Sequence, residues 1–339
     1  MQLSIVVPIY NEAEILPKLL SSIQAVMNST PFSYELILVD DGSLDGTAET
    51  LRRAAEEDPR LKVLSFSRNF GHQAAITAGL DHASGEAVVV MDADLQDPPE
   101  LLPEMLALLA QGYDVVSAQR ASRDGETVFK RMTATAFYWI FQKLVDERMQ
   151  PEVGDFRMFS RRAIVAISQL REQHRFMRGM VAWLGLKEVI LPYHRNPRTA
   201  GTTKYSTWKM MRFAWTAISS FSAMPLRLSV GAGLFVTACG IGFAIYSVFA
   251  AFVLKTNVPG WTSLVCLNII FSGTTLIAIG LLGEYVARIY EETKGRPLYV
   301  ISNTTNVDTG THAAKGVILP PAVNLKQSHD ESALRRNQV

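Results

Sequence analysis

The sequence has little cysteine, little net charge and no basic N-terminal start. Its two cysteines, Cys239 and Cys266, lie in long apolar stretches, where a small buried side chain is the usual interpretation, so we infer neither a disulfide nor a zinc site. A net charge of +1 at pH 7 gives no basic field that would attract nucleic acid. The N-terminus lacks the basic start and long apolar run of a signal peptide, so we expect it to remain cytoplasmic.

Two nucleotide-binding motifs are also absent. No Gly-x-Gly-x-x-Gly follows the first apolar run, and no Gly-x-x-x-x-Gly-Lys-Ser/Thr occurs anywhere in the sequence. These absences argue against a dinucleotide dehydrogenase and against a P-loop NTPase. If the chain binds a nucleotide, it must do so by other means.

Apolar runs and helical spacing alternate in the first third of the chain. They predict strands at 3–9, 35–39, 62–66, 87–91 and 115–118, and helices at 12–26, 47–57, 73–83 and 99–110. Repeated strand–helix units of this length predict an α/β fold with a mostly parallel sheet covered by helices. The first four strands end in polar residues, so we expect their loops to form a site along one edge of the sheet.

The fourth predicted strand ends in two acidic residues, Asp92 and Asp94, with Gln96 close behind if the chain stays extended. Two carboxylates this close repel each other unless a cation lies between them. Oxygen ligands of this kind suit Mg²⁺ or Mn²⁺ shared with the phosphates of a substrate. The pattern therefore indicates a metal–diphosphate site, with a solvated loop that caps the next helix as the alternative.

Two long uncharged stretches, at 228–254 and 256–283, each exceed the ~20 residues that span a bilayer. We interpret them as transmembrane helices at about 228–254 and 261–283, joined by a tight turn. Basic residues flank the pair on its outer sides, so the positive-inside rule predicts a multi-pass protein of the cell membrane with its globular part and both termini in the cytoplasm. These residues are Lys204, Lys209, Arg212, Arg227, Arg288, Lys294 and Arg296.

Two earlier segments, at about 125–145 and 204–222, mix aromatic with basic residues. Such a composition fits an amphipathic helix in the membrane interface and equally a surface helix of a soluble protein. We divide the chain into a domain at 1–225 that includes both segments, a transmembrane hairpin at 226–286 and a cytoplasmic tail at 287–339, which we expect to be disordered after about 302. Small residues in the first span, such as Gly231 and Gly233, would permit a homo-oligomer through close helix packing.

Seven short motifs occur in a characteristic order. They begin at Val6, Val39, Arg68, Asp92, Gly154, Arg175 and Arg198 and read VVPIYNE, VDDGS, RNFG, DADLQDPPE, GDFR, RFMRG and RTAGTTKYS. Together they resemble the family 2 glycosyltransferases that act on polyprenyl phosphate, such as dolichyl-phosphate mannose synthases and bacterial bactoprenol glucosyl transferases. The resemblance covers about residues 1–300.

This resemblance implies a GT-A fold, in which a Rossmann-like sheet binds a nucleotide sugar, and it implies inversion at the anomeric carbon. Processive synthases of the broader family carry Gln-x-x-Arg-Trp, which this chain lacks, so transfer of a single sugar is favoured. By position, the base and ribose would be held by Pro8, Tyr10, Glu12 and Asp40. The divalent metal on the diphosphate would be held by Asp92, Asp94 and Gln96.

A polyprenyl phosphate is mostly ionised near neutral pH, because its second pKa is about 6 by analogy with phosphorylated side chains. It therefore needs positioning more than deprotonation, and arginines and lysines are suited to this task. Our candidates for the acceptor phosphate are Arg120, Arg131, Arg198 and Lys204, each of which could instead contact a lipid headgroup or solvent. Asp155 is the candidate general base or acceptor-side carboxylate, with capping of a helix at 161–170 as the alternative. His72 and His174 are interpreted as structural.

The sequence thus predicts a membrane-anchored inverting glycosyltransferase with Mg²⁺ or Mn²⁺ as cofactor and Asp94 and Asp155 as catalytic residues. Its partners would be a nucleotide sugar and a polyprenyl phosphate, with glucose moved from UDP-glucose onto undecaprenyl phosphate. GDP-mannose or a UDP-linked aminoarabinose is the alternative donor. A membrane scaffold that binds a nucleotide sugar without chemistry is an alternative of another class, and the carboxylates Asp92 and Asp94 speak against it.

Overall fold

The computed structural model describes residues 2–120, 153–193, 224–253, 260–307 and 317–318. Its first part alternates strands and helices: β1 (Gln2–Ile9), α1 (Leu16–Asn28), β2 (Ser33–Asp40), α2 (Thr47–Glu57), β3 (Leu61–Phe66), α3 (His72–His82), β4 (Ala87–Val90), α4 (Leu102–Ala110) and β5 (Val115–Arg120). Then come β6 (Val153–Ser160), α5 (Arg161–Gln169), α6 (Met177–Leu184), β7 (Glu188–Tyr193), α7 (Met224–Phe252), α8 (Gly260–Thr293), β8 (Val300–Thr305) and β9 (Val317–Ile318). The strand–helix alternation predicted as far as β5 is confirmed.

All the described strands belong to one mixed sheet, in the order β7-β5-β6-β4-β1-β2-β3-β8-β9. The four strands β4, β1, β2 and β3 are parallel neighbours, whereas β6 lies antiparallel between β4 and β5. The predicted Rossmann-like, mostly parallel sheet is therefore confirmed, with β6 as a strand that the sequence analysis did not predict. The chain runs from β1 outward to β3 and then places β4 on the other side of β1. Ligands of open α/β sheets bind at such a switch point, beyond the carboxyl ends of the strands.

Helices cover both faces of the sheet because the central strands are apolar on both sides. Strand β1 is buried from Leu3 to Ile9, and its alternate residues enter two different cores. Ile5 lies in the core under α1 and α4, and Val6 lies in the core under α3, α5 and α6. Helix α3 packs so closely that a Cβ atom at Gly79 would lie 2.1 Å from Val6 Cγ1. The small residues of α3 thus allow the helix to pack tightly on the sheet.

Helices α7 and α8 are apolar, and many of their large side chains are exposed. The segments Met224–Phe243 and Leu267–Thr293, with mean hydropathy of 1.6 and 1.7, are long and apolar enough to cross a membrane. The two helices pack against each other where a Cβ at Gly240 would lie 2.4 Å from the ring of Phe271. Helix α8 also continues well past the predicted end of the second span at about 283, up to Thr293.

The chain after α8 returns to the sheet. Tyr299 is completely buried and stacks on Phe66, with ring centroids 5.3 Å apart. Strand β8 then pairs antiparallel with β3, and Asn306 donates to the carbonyls of Ala55 and Leu61 at 2.6 and 3.0 Å. The predicted onset of disorder at about 302 is therefore wrong. The segment is polar because it lies near the edge of the sheet, where alternate side chains face solvent.

Three predictions concern residues outside the described ranges. The two interfacial helices, at about 125–145 and 204–222, lie there, and so does most of the turn between α7 and α8.

The division into domains and the homo-oligomer remain predictions. Around Gly231, Gly233 and Gly242, nothing in the described part of the chain would lie within 4 Å of an added Cβ.

Candidate functional site

Loops at the carboxyl ends of β1, β2 and β3 are bonded to one another. Asn11 adopts a φ of 55°, a left-handed conformation that asparagine tolerates, and its backbone N–H donates to Ser43 Oγ at 2.9 Å. The carboxylate of Asp41 accepts hydrogen bonds from the backbone N–H groups of Phe70, at 2.7 Å, and Gly71, at 3.0 Å. The three loops thereby form one connected rim beside β4.

The Asp40-Asp41-Gly42 sequence divides its roles among its three residues. A Cβ at Gly42 would lie 2.5 Å from the carbonyl carbon of Arg68, and the φ of 70° is one that L side chains rarely adopt, so glycine is required where the two loops touch. Asp41 is committed to holding the third loop. Asp40 accepts a hydrogen bond from the backbone N–H of Ser43 at 3.0 Å and is buried at the end of β2.

The structure brings the four predicted nucleotide-binding residues to this same edge. Pro8 is buried near the end of β1, and the aromatic side chain of Tyr10, directly beyond the strand, is 40% exposed. Glu12 donates its backbone N–H to Thr47 Oγ1 at 3.1 Å, which fixes the start of the loop against α2. Tyr10 therefore offers a surface on which a base can stack, with Asp40 close by at the end of the neighbouring strand.

The chain does not stay extended through Asp92 and Asp94. Strand β4 ends at Val90, the chain turns at residues 93 and 94, and Leu95 adopts a φ of 58°. A left-handed leucine costs roughly 1–2 kcal/mol, and strain of this kind is concentrated at functional sites. The turn lets the backbone N–H of Gln96 donate to Asp94 Oδ1 at 3.2 Å. The premise that strand alternation aligns Asp92, Asp94 and Gln96 is therefore wrong, because the turn replaces it.

Asp155 enters the same site from β6. This strand is antiparallel to β4, so its beginning lies beside the end of β4. The ring of His72, at the start of α3, lies between two carboxylates, with Nε2 3.4 Å from Asp155 Oδ2 and 3.7 Å from Asp92 Oδ1. Three chain segments that are far apart in sequence thus meet at one point.

The Asp155 carboxylate is held by several donors. Gln73 Nε2 donates to Oδ2 at 3.2 Å, and Arg178 Nε donates to Oδ1 at 3.3 Å. Burial alone would raise the pKa of Asp155, but the hydrogen bond to His72 and the charges of Arg178 and Arg157 outweigh it and hold the pKa well below its usual range. The capping alternative for Asp155 is wrong, because Ser160 caps helix α5 by accepting from the N–H of Ala163.

Asp92 has the opposite electrostatic situation. Burial, together with the charges of Asp97, Asp155 and Asp94, raises its pKa to about 6 even though His72 acts against the shift. The same two carboxylates, Asp155 and Asp92, raise the pKa of His72 against the effect of burial. The side chain of Asp92 is still 36% exposed, so a ligand can reach it from solvent. The site therefore carries an excess of negative charge around Asp92.

Asp97 lies behind this cluster of acidic residues. It accepts hydrogen bonds from the backbone N–H of Asp92, at 3.2 Å, and from the hydroxyl of Tyr193, at 2.9 Å. Because Tyr193 ends β7, the contact joins the far side of the sheet to the loop after β4. Asp97 thus fixes the backbone from which the side chain of Asp92 projects.

Asp92 and Asp94 have the oxygen ligands that a divalent cation prefers, and their role as metal ligands is a prediction. A cation would neutralise the excess negative charge that raises the pKa of Asp92. In the described ranges no group of three or more His, Cys, Asp or Glu side chains is arranged to hold a metal ion. Mg²⁺ usually needs only one or two protein carboxylates, since phosphates of the substrate and waters complete its coordination. Gln96 is buried two residues beyond Asp94, and its role as a third ligand remains a prediction.

Of the four predicted acceptor-phosphate residues, the structure describes only Arg120. The backbone of Arg120 ends strand β5 and pairs with Tyr193 of β7. Arg131, Arg198 and Lys204 lie outside the described residues. Their role in binding phosphate remains a prediction.

Sequence reasoning missed three residues of the site. His72 and Gln73 open α3, directly after a motif that the sequence analysis recognised, and their position beyond β3 was a usable signal. Arg178 lies within the RFMRG motif, but its contact with Asp155 depends on how α6 packs against β6. The interpretation of His72 as structural is not supported, because its ring lies between Asp92 and Asp155.

Comparisons with known proteins identify the family of this chain. A family model described as Glycosyl transferase family 2 matches residues 4–167. The uncharacterized glycosyltransferase YkcC of Bacillus subtilis (strain 168) is 42% identical over 307 residues, which cover 91% of this chain and 95% of YkcC. This chain belongs to glycosyltransferase family 2.

Another relative of this glycosyltransferase carries a more specific name. The bactoprenol glucosyl transferase of Shigella phage SfV is 39% identical over 303 residues, which cover 89% of this chain and 99% of that protein. Among solved structures, a glucosyl-3-phosphoglycerate synthase from Mycobacterium tuberculosis is 18% identical, with a TM-score of 0.46 over 64% of this chain and 77% of that one. Membership of the family makes the chain an enzyme of glycosyl transfer, as predicted, and the scaffold without chemistry is not supported.

Proposed function

We propose that this glycosyltransferase moves one glucose unit from UDP-glucose onto undecaprenyl phosphate at the cytoplasmic face of the cell membrane, with inversion at the anomeric carbon. The observation that carries the proposal is the 39% identity to a bactoprenol glucosyl transferase over 99% of that protein. Because the match includes the region of the long apolar helices as well as the nucleotide-binding half, it supports the acceptor as well as the reaction.

The donor would lie across the rim at the carboxyl ends of β1, β2 and β3 and would reach the end of β4. Tyr10 would stack on the uracil base, and Pro8, Glu12 and Asp40 would line the base and ribose. The diphosphate would then reach Asp92 and Asp94, which would hold Mg²⁺ or Mn²⁺ with Gln96. When bound, the cation supplies positive charge for the leaving diphosphate without any proton transfer.

The chemical step is a direct displacement. An oxygen of the acceptor phosphate forms a bond to the anomeric carbon while the bond from that carbon to UDP breaks, and the electron pair leaves with UDP. The acceptor phosphate is already mostly ionised near neutral pH, with a second pKa of about 6 by analogy with phosphorylated side chains, so no strong base is needed.

Asp155 would then act by position. Its depressed pKa makes it a weak proton acceptor. Its carboxylate contacts His72, Gln73 and Arg178, and these residues together form what we call the wall of the site. His72 and Arg178 would face the point where the two anionic substrates meet. Arg120, Arg131, Arg198 and Lys204 remain the proposed ligands of the acceptor phosphate.

The apolar helices α7 and α8 support a membrane location. Large apolar side chains such as Phe235 and Ile277 are 70% and 72% exposed, which in water would be costly and in lipid is favourable. With both helices across the bilayer and basic residues on their outer flanks, the transferase domain would lie at the cytoplasmic surface. The acceptor phosphate would be presented to the site from the same surface.

A donor panel tests the proposal. Membranes containing the protein would be supplied with undecaprenyl phosphate, Mg²⁺ or Mn²⁺, and radiolabelled UDP-glucose, GDP-mannose or UDP-aminoarabinose in separate reactions. We expect label to enter the lipid fraction from UDP-glucose. Label entering from another donor alone would overturn the sugar assignment, and no label from any donor would overturn the acceptor assignment.

A further inference from the structure

The segment 171–178, which we call the linking segment, follows helix α5 and includes the first two residues of helix α6. Its beginning is bonded to the end of the long helix α8. The backbone N–H of Gln173 donates to Glu292 Oε1 at 2.7 Å, and Gln173 Nε2 donates to the carbonyl oxygen of Arg296 at 2.6 Å. His174 Nε2 also lies 2.7 Å from Glu291 Oε2. The linking segment thus makes two polar contacts with the last turn of helix α8 and one with the chain just beyond it.

A second set of contacts anchors the same end in the core. Arg171 donates to both oxygens of Asp81, at 2.9 and 3.0 Å, and the hydroxyl of Tyr299 donates to Asp81 at 2.9 Å. Asp81 lies on α3, and Tyr299 follows α8 by only a few residues. The beginning of the linking segment is therefore fixed to α3 and to the chain on both sides of the end of α8.

The far end of the linking segment is part of the active site. The backbone N–H of Met177 donates to Gln73 Oε1 at 3.0 Å, and the same amide donates through Nε2 to Asp155 at 3.2 Å. Arg178 donates to the other oxygen of Asp155 at 3.3 Å. The segment therefore connects the end of α8 to the wall of the site within eight residues.

Helix α8 runs without interruption from Gly260 to Thr293, and Glu292 lies nine residues beyond its uncharged part, which ends at Gly283. A continuous helix rises about 1.5 Å per residue, so the residues in the membrane fix the height of Glu292 above it. A group bonded to Glu292 is then held at a defined height as well. The donor site sits on the sheet, whereas the acceptor is presented from the bilayer, so their relative height must be set by some contact between the two parts.

We propose that Gln173 is a positioning residue that fastens the active-site wall to helix α8 and thereby sets the site at the height of a lipid-borne acceptor phosphate. This inference rests on the proposed function, since it requires an acceptor held in the membrane. Gln173 does not touch the reacting atoms. It acts through Met177, Gln73 and Asp155.

The test compares two acceptors with one donor. Gln173→Ala removes the bond to the Arg296 carbonyl, Glu292→Ala removes the acceptor of the Gln173 N–H, and Glu292→Gln keeps an oxygen there. Glu284→Ala is the matched control, because Glu284 lies on the same helix and bonds to Arg288 one turn later on that helix. The full-length protein in lipid vesicles is assayed with undecaprenyl phosphate and with a short-chain, water-soluble prenyl phosphate.

For Gln173→Ala and Glu292→Ala we expect transfer to undecaprenyl phosphate to fall about tenfold, since each variant loses one hydrogen bond that fixes the geometry. Transfer to the soluble acceptor should change less than about twofold, because a free acceptor can adjust to the displaced wall. Glu292→Gln should recover most of the activity, and Glu284→Ala should match the unaltered protein. An equal fall with both acceptors, or no fall with either, would overturn the proposal.

A second readout does not depend on transfer. Hydrogen exchange of the backbone amides at the start of α6, measured in the same vesicles, reports whether Met177 remains bonded to Gln73. Faster exchange there in Gln173→Ala and Glu292→Ala but not in Glu284→Ala supports the proposal, and unchanged exchange overturns it. If the unaltered protein transfers no sugar to any lipid phosphate, the proposed function fails, and the exchange measurement still decides whether α8 holds the wall.

Discussion

Each end of the same sheet holds a carboxylate among other polar groups, with opposite consequences. At the amino end of β2, Glu35 is 3% exposed and accepts hydrogen bonds from Ser4 at 2.5 Å, from Lys62 at 2.6 Å, and from the backbone N–H of Ser84 at 2.7 Å. At the carboxyl end of β4, Asp92 faces three other acids and one histidine. One end satisfies its charge completely, and the other accumulates charge of one sign.

The pKa values of the two groups record this difference. Burial would raise the pKa of Glu35, but hydrogen bonds from Lys62, Ser4 and Ser84 outweigh it, so the pKa is lowered. For Asp92 burial and neighbouring acids act together, and the pKa rises to about 6. Perturbed pKa values of this kind are concentrated at functional sites, so we expect the ligand to bind at the carboxyl end.

The largest expected effect is on catalysis at the carboxyl end. Asp94→Ala should abolish turnover, with a loss of at least about 10³-fold, because the cation that neutralises the leaving diphosphate loses one of its ligands. The protein should still fold and insert in the membrane. Turnover and the thermal unfolding midpoint are measured on the same purified sample, and near-normal turnover would contradict the assignment.

The next effect is on stability at the amino end. Glu35→Ala leaves Lys62 and the N–H of Ser84 without their acceptor, so we expect a loss of about 2–4 kcal/mol in the free energy of unfolding. Turnover per folded molecule should not change, because the residue is remote from the site. Denaturant unfolding of the membrane-extracted protein provides the measurement, with Glu35→Gln as the milder control. If Glu35→Ala lowered turnover while the protein remained fully folded, the amino end of the sheet would also affect catalysis, and the contrast between the two ends would be contradicted.

A gain in stability is expected where charge of one sign accumulates. Asp92→Asn removes a carboxylate that is ionised above its raised pKa of about 6 and that burial and the neighbouring acids destabilise in its ionised form. The gain in the metal-free protein should be on the order of 1 kcal/mol, because solvent screens a side chain that is 36% exposed. Thermal unfolding at pH 7.5 in a chelating buffer, ~1.5 pH units above that pKa, checks this. A clear loss of stability would show that the surrounding acids do not strain the site.

The smallest effect is a pH dependence at the amino end. Because the pKa of Glu35 is lower in the folded than in the unfolded chain, its stabilising contribution is present above the unfolded value of about 4.3 and is lost as the pH falls through the folded value. The difference in unfolding free energy between the unaltered protein and Glu35→Gln should therefore shrink below about pH 4.5. A difference that grows on acidification would reverse the sign of the shift.

The local features of the site were predictable from the sequence, because apolar runs that end in polar residues define strands and their loops. Strand β4 and the carboxylates Asp92 and Asp94 were found in this way. The alignment of Gln96 with the two carboxylates was conditional on an extended chain, and the chain turns at Leu95 instead. No periodicity signals a single left-handed leucine.

The missed contacts all depend on distant parts of the chain. His72 meets Asp155 only because β6 inserts antiparallel beside β4, and a strand order of this kind is not encoded in local pattern. Tyr299 meets Asp81 after both long apolar helices have intervened, and the polar chain after about residue 302 resembled a disordered tail because its pairing with β3 is not visible in the local pattern. Tertiary packing brings both pairs of residues together. The composition of a segment predicts its structure only where burial and local sequence pattern agree.

The most direct test of the central claim is binding of Mn²⁺ to the purified protein with UDP present, followed by electron paramagnetic resonance. The account predicts one tightly bound Mn²⁺ per chain, which is lost in both Asp94→Ala and Asp92→Asn and retained in Glu35→Gln. Unchanged Mn²⁺ binding in the two aspartate variants, or no binding to the unaltered protein with UDP, would contradict it.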